Sequence, residues 1–198
     1  TLGFRNAFSY KNLSMSVLVD MKFGADVYSM SKMQSHVNGT SKETLEGREG
    51  WYASEQARLS ANVDAKDWTP TGGYVGKGVK AVTDADGNVS YVPNDVYVDP
   101  AKYWQALQNS SPEPFICDNS FVKLREVSLS YSCPKKWFVH TPIESVTLSA
   151  YGRNLLLIYS KVDNIDPESS YNNGNGQGFE YGSLPSRRTF GFGINVKF

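Results

Sequence analysis

The stretch Thr189-Phe-Gly-Phe-Gly-Ile-Asn-Val-Lys-Phe198 decides the reading of this chain. Phe190, Phe192, Ile194, Val196 and Phe198 alternate with Thr189, Gly191, Gly193, Asn195 and Lys197. Side chains of a β-strand point alternately to its two faces, so one face here is wholly apolar and the other small or polar. A membrane-crossing strand tilted by about 45° needs about 9–11 residues, and this run has that length. The same period recurs upstream. Val146, Leu148 and Ala150 alternate with Ser145, Thr147, Ser149 and Tyr151. Val127, Leu129 and Tyr131 alternate with Glu126, Ser128 and Ser130. Leu13, Met15, Val17, Val19, Met21 and Phe23 alternate with Ser14, Ser16, Asp20 and Lys22, interrupted by Leu18. Leu2, Phe4, Phe8 and Tyr10 alternate with Gly3, Arg5, Ala7 and Ser9, with Asn6 as the exception.

Five strands follow, over about 1–10, 13–24, 121–132, 143–156 and 187–198. One of them changes phase: Val122 and Leu124 fall on the face opposite Val127 and Leu129. Lys123-Leu-Arg-Glu126 therefore either holds a bulge or stands above the bilayer, where facing no longer matters. The connections run short, long, short, long: Lys11-Asn12, about 25–120, Pro134–Pro142, and about 157–186. Outer-membrane barrels have short periplasmic turns and long extracellular loops. With the C-terminus in the periplasm, both long loops fall outside. The fold class is all-β: the last five antiparallel strands of a large transmembrane β-barrel. Five strands cannot close a barrel, so residues 1–198 read as the C-terminal part of something longer.

The long loop reads as ordered. Thr40-Ser-Lys-Glu43 has the form of a capping box opening a short helix. Val82–Val89 reads as a hairpin around Asp86-Gly87. Asp99-Pro100 opens a helix through about Gln108, with Asp as cap and Pro at the first helical position.

Composition narrows the function classes. The 198 residues carry 20 basic and 20 acidic side chains, which gives no reason to expect nucleic acid as partner. No run of about 18 apolar residues marks a transmembrane helix, and Thr1-Leu-Gly-Phe-Arg begins inside a strand rather than a signal peptide. Cys117 and Cys133 lie at opposite ends of one extended segment, too far apart for a disulfide. His36 and His140 are isolated, and no nucleophile–base pair, phosphate loop or metal-spaced cysteine set is present. The chain reads as neither enzyme nor cofactor protein.

Several segments together resemble one family. They are Gly3–Asn12, Gly39–Arg48, Ser120–Tyr131 followed by Pro134, Gly152-Arg-Asn-Leu-Leu156, Ile165-Asp-Pro-Glu168, and Pro185–Phe190 leading into Asn195-Val-Lys-Phe198. Each is weak alone, but their order is that of the C-terminus of SusC/RagA-family TonB-dependent outer-membrane transporters of Bacteroidetes. The resemblance covers the chain apart from roughly residues 60–115. It implies a 22-stranded barrel, outer-membrane localisation, a plug and TonB-contacting segment elsewhere, and energy from the TonB complex. It also implies a SusD-like surface lipoprotein as partner and an oligosaccharide or peptide as cargo.

Candidate site residues follow from these readings. Phe190, Phe192, Ile194, Val196 and Phe198 look like the terminal signal read by the barrel-assembly machinery; any terminal amphipathic strand has the same look. Phe190, Phe8 and Tyr10 suit the aromatic girdles. Trp51, Tyr52, Trp68 and Trp104 are candidate contacts to cargo or partner, since aromatic faces stack on sugars and fill interface pockets. Against that, any one of them more often helps form the loop's own small core. Asp163, Asp166 and Glu168 form a weak Ca²⁺ candidate, more often a solvated turn. Asp84, Asp86 and Asn88 mimic the start of an EF-hand, but Val89 stands where Gly is required. The competing class is a non-transport surface adhesin or a soluble β-sandwich binding module. A sandwich predicts turns every 8–12 residues or so, and the spacing here is uneven.

Overall fold

The computed structural model describes residues 1–172 and 174–198; Asn173, within the Asn172–Gly176 run of the last loop, lies outside the described residues. In chain order the elements are β1 (Leu2–Tyr10), β2 (Leu13–Lys22), β3 (Asp26–Ser29), α1 (Met30–Val37), a 3₁₀ turn (Lys42–Leu45), α2 (Arg48–Ser60), β4 (Tyr74–Val75), β5 (Val79–Thr83), β6 (Val89–Pro93) and β7 (Tyr97–Val98). There follow α3 (Pro100–Ser110), β8 (Ile116–Asp118), β9 (Phe121–Ser132), β10 (Ser145–Ser160), β11 (Phe179–Glu180) and β12 (Thr189–Lys197). They form two compact units, one of residues 1–29 and 116–198, the other of residues 30–115.

The first unit is built on a five-stranded antiparallel sheet in the order β1-β2-β9-β10-β12. Directly paired residues of antiparallel strands share a face, and the register joins the apolar positions into rows. Tyr10, Leu13, Tyr131, Leu148 and Ile194 form one row across all five strands. Phe8, Met15, Leu129, Ala150 and Phe192 form the next. Phe4, Val19, Leu124 and Leu156 continue the same face. The intervening rows, on the opposite face, are polar or small apart from Leu18: Ser9, Ser14, Ser130, Ser149 and Gly193, then Arg5, Leu18, Glu126, Arg153 and Thr189. Ser16 and Ser128 hydrogen-bond across it at 2.9 Å, and Arg153 Nε donates to Glu126 at 2.8 Å.

The phase change in β9 is a bulge. Leu18 pairs with Glu126 and Val19 with Leu124, so Arg125 has no partner in β2; on the other side the register skips from Arg153 to Leu156. Asn154, inside that skip, adopts φ 53°. The bulge lets Leu124 return to the apolar face beside Val19, although the alternation of β9 reverses there. The interruption at Leu18 marks the same place on the neighbouring strand.

Gly191 makes room for a neighbouring ring. A Cβ on it would run into the ring of Tyr151, its partner in β10. A smaller three-stranded sheet, β11-β3-β8, belongs to this unit. Its buried residues include Val27 and Ser29, and Ser29 Oγ donates to Glu180 Oε2 at 2.7 Å. The stretch read as one loop over 25–120 is thus interrupted by β3 and β8. β10 runs to Ser160, past the expected end near 156.

The second unit packs around aromatic rings. Trp104 on α3 lies 4.6 Å from His36 and 5.6 Å from Tyr74, centroid to centroid, and Tyr74 lies 4.6 Å from Tyr103. α3 begins as its sequence dictates: Asp99 caps it by accepting from the Ala101 N–H at 2.9 Å, with Pro100 at the first helical position. The hairpin pairs Thr83 with Val89, and Asp84 Oδ1 accepts from the Asp86 and Asn88 N–H groups, so the EF-hand-like residues make a turn.

The capping box at Thr40–Glu43 does not form. Ser41 occupies the N-cap of the 3₁₀ turn without a side-chain cap bond, and Thr40 Oγ1 donates back to Ser35 O. Glu43 binds His36 Nε2 at 2.9 Å instead. The buried imidazole is the stronger competitor, because it needs a partner and the helix N-terminus has water. Gly47 precedes α2 at φ 77° with its Cα against the Gly73–Tyr74 backbone, where no Cβ fits.

Candidate functional site

Two places in the molecule carry chemistry. The first is the two-faced sheet. Its apolar face is uncovered: Phe192 is 87% exposed and Phe190 68%, and Phe4, Phe8, Ile194 and Phe198 are exposed with them. A sandwich buries such a face between sheets; here it is presented as one continuous patch of the kind that marks a protein or membrane contact. No helix among the described residues is long and apolar enough to cross a membrane.

On the polar face the bulge delivers Arg125 into a charge network. Arg125 Nε donates to Asp20 Oδ2 at 2.9 Å, and Nη1 donates to Asn154 Oδ1 at 2.7 Å and to Glu168 Oε2 at 2.9 Å. Nη2 binds Glu168 Oε1, completing a two-point grip. Lys123, only 4% exposed, donates to Glu168 Oε2 at 2.6 Å and to Ser186 Oγ at 2.7 Å, with Asp166 at 3.5 Å. Asp166 Oδ2 accepts from the Ser186 N–H at 2.7 Å and from its hydroxyl, and Oδ1 accepts from the Glu168 N–H at 3.0 Å. The last loop is thereby tied near both ends to Lys123 and Arg125 on the polar side of β9.

Burial alone raises the Asp166 pKa, but the Ser186 hydroxyl, the N–H donors and Lys123 outweigh it, and the carboxyl lies below its ordinary range. Burial likewise raises Glu168, and Arg125 and Lys123 override it, again leaving the carboxyl low.

The carboxylate oxygens of Asp166 and Glu168 are engaged by Lys123, Arg125 and Ser186. Asp163 is exposed and takes no part. No group of three acidic, His or Cys residues among the described residues can hold a metal. Neither Cys117 nor Cys133 is in a disulfide.

The second place is a cavity of ≈ 390 Å³ in the 30–115 unit. Trp51, Tyr52 and Trp104 line it together, and Arg48, His36 and Asp99 supply its charged and titratable groups. Trp104 is 7% exposed and its Nε1 finds no partner among the described residues, whereas Tyr52 is 66% exposed. Trp68 lies apart, its Nε1 donating to Ser54 Oγ at 3.1 Å. Sequence reasoning singled out these aromatics but passed over Arg48, Lys123 and Arg125, whose partners lie in other segments.

The chain is 26% identical over 204 residues to TonB-dependent receptor P3 of Formosa agariphila, covering 100% of this chain and 16% of the relative. It is 28% identical over 201 residues to TonB-dependent receptor P26 of the same organism, covering 99% of this chain and 16% of the relative.

This chain is similar in sequence to TonB-dependent receptors.

It spans about one sixth of their length, 16% in each case. No family model matches it. Among solved structures, the RagAB peptide transporter matches 99% of the chain with TM-score 0.54 at 18% identity. The RagAB peptide importer in its closed-closed state matches with TM-score 0.59 at 17% identity, and in its open-open state with 0.53 at 17%. The matched part is 17% of each of those chains. At this identity the likeness is one of fold.

Proposed function

We propose that this chain is the C-terminal wall of a SusC/RagA-type transporter that imports oligosaccharides or peptides across the outer membrane. The observation that carries the reading is the five-strand sheet whose apolar rows are uncovered and whose opposite face is polar and charged. A strand pair can expose such a face only to lipid or to a protein partner, and in a closed barrel the polar face lines the lumen. In this reading β1 and β12 pair with strands outside residues 1–198, and a barrel of about 22 strands closes around a plug. The β1–β2 and β9–β10 turns lie on the periplasmic side, and residues 25–120 and 157–186 lie outside the cell. Phe190, Phe192, Ile194, Val196 and Phe198 serve as the assembly signal. Trp51, Tyr52, Trp68 and Trp104 meet cargo or a SusD-like lipoprotein, and the TonB complex supplies the energy. The reading includes no catalytic step. Support comes from the receptor relatives and from the fold shared with the RagAB peptide importer.

The test is uptake of labelled oligosaccharides and peptides by cells with and without the gene carrying this chain, with and without a proton uncoupler. Uptake that requires both the gene and the proton-motive force is expected. Uptake indifferent to the uncoupler, or a gene product that fractionates away from the outer membrane, contradicts the proposal.

A further inference from the structure

We propose that the cavity in the 30–115 unit is a carboxylate-binding site, with Arg48 as the group that holds the anion. Arg48 opens α2, and its guanidinium is fixed by neutral acceptors: Nε donates to Thr44 O at 2.7 Å, and Nη2 to Gly39 O at 2.8 Å and Thr44 Oγ1 at 2.7 Å. Nη1 makes none of these bonds, and no carboxylate among the described residues lies within ion-pair distance of Arg48. Arg48 thus lines the cavity with its guanidinium fixed by neutral acceptors and with no carboxylate in ion-pair contact.

The other charges of the lining are accounted for. Asp99 caps α3, where an eleven-residue helix offsets a negative charge at its N-terminus. His36 is bound on both sides, Nδ1 to Lys32 O at 2.8 Å and Nε2 to Glu43 Oε2 at 2.9 Å, so Glu43 is already engaged. A planar guanidinium fixed in place suits a planar carboxylate, which it can meet with charge-assisted hydrogen bonds. A phosphate, with its larger charge, would meet Asp99 on the same lining with one guanidinium to balance it. Trp51 and Tyr52 offer flat apolar surface to whatever carries the carboxylate. The volume of ≈ 390 Å³ lies within the range of ligand pockets, about 300–1,000 Å³. The inference rests on the import reading in one respect: cargo is what brings the carboxylate, from an acidic sugar or from a peptide C-terminus.

The experiment is calorimetric titration of the detergent-purified protein that carries this chain. The probes are glucuronate against glucose, and a tripeptide with a free C-terminus against its C-terminal amide. At least one acid is expected to bind about tenfold or more tighter than its neutral twin, the worth of a charged hydrogen bond; which acid binds identifies the source. Arg48→Met should abolish the difference. Because Arg48 also ties down Gly39 and Thr44, a second variant, Gln105→Glu, adds a negative charge to the lining without touching those bonds, and it too should abolish the preference. Equal binding of acid and neutral twin, no binding of either acid, or an unchanged preference in Gln105→Glu overturns the site. Proton-motive-force-dependent uptake measured alongside separates the two readings: intact uptake without carboxylate preference overturns the site alone, and loss of that dependence overturns import.

Discussion

Arg125 grips Glu168 with two nitrogens across 43 residues of sequence, Nη1 standing 2.9 Å from Oε2 while Nη2 binds Oε1. The grip exists because a bulge removes Arg125 from the ladder between β2 and β10. Its consequence is mechanical: the loop after β10 is anchored to the polar face of the sheet rather than tethered at its ends alone. Glu168→Gln keeps the shape but removes the charge that Arg125 and Lys123 share. It should cost about 1–3 kcal/mol, the range for a lost charged hydrogen bond in a partly buried place. Arg125→Met should cost at least as much, since it leaves Asp20 without this donor and Glu168 with Lys123 alone. Thermal unfolding in detergent measures the loss, and limited proteolysis should place new cuts between residues 161 and 188.

The anchor has a pH dependence of definite sign. Asp166 and Glu168 both titrate below their ordinary values in the folded protein. A depressed carboxyl stabilises the fold above its unfolded pKa, and that contribution is lost as pH falls through the folded pKa. The unfolding temperature should therefore be insensitive to these groups near neutrality and fall below about pH 4, the ordinary carboxyl range. Glu168→Gln should flatten that fall. An identical acid limb in wild type and variant contradicts the assignment.

Tyr151 and Gly191 are paired across β10 and β12, and the ring of the one occupies the space of the other's missing side chain. Gly191→Val should cost about 1–3 kcal/mol by overpacking. Tyr151→Ser in the same protein should recover most of that loss. A double-mutant cycle from thermal unfolding checks it, and additive costs show that the two side chains do not compete.

How much of this was legible beforehand differs by element. The alternation at 189–198 announces the last strand because period 2 needs no partner to be read. The bulge was visible as a reversed phase at Val122 and Leu124 and as the misplaced Leu18, although the choice between a bulge and an emergent strand end required the register. The cap at Asp99 is local chemistry and read directly. The capping box at Thr40–Glu43 misled because His36, on an element already passed, claims Glu43. The ion pairs of Asp166 and Glu168 are hidden from local reading for the same reason: Lys123 and Arg125 arrive from a strand 43 or more residues upstream. The aromatics of the long loop were visible as residues, but nothing local distinguishes Trp104, packed on His36 and Tyr74, from Tyr52 in the open.

The measurement that bears most directly on a lipid-facing wall is spin-label accessibility along the last strands of the protein in bilayers. Single cysteines in a background lacking Cys117 and Cys133 would carry the label at Leu148, Ser149, Ala150, Phe192, Gly193 and Ile194. Labels at Leu148, Ala150, Phe192 and Ile194 should favour dissolved oxygen, which concentrates in lipid. Labels at Ser149 and Gly193 should favour a water-soluble nickel complex, so that the preference alternates with period 2. Preference for the nickel complex at every position, or oxygen preference without alternation, contradicts a wall with one face in lipid and the other toward water.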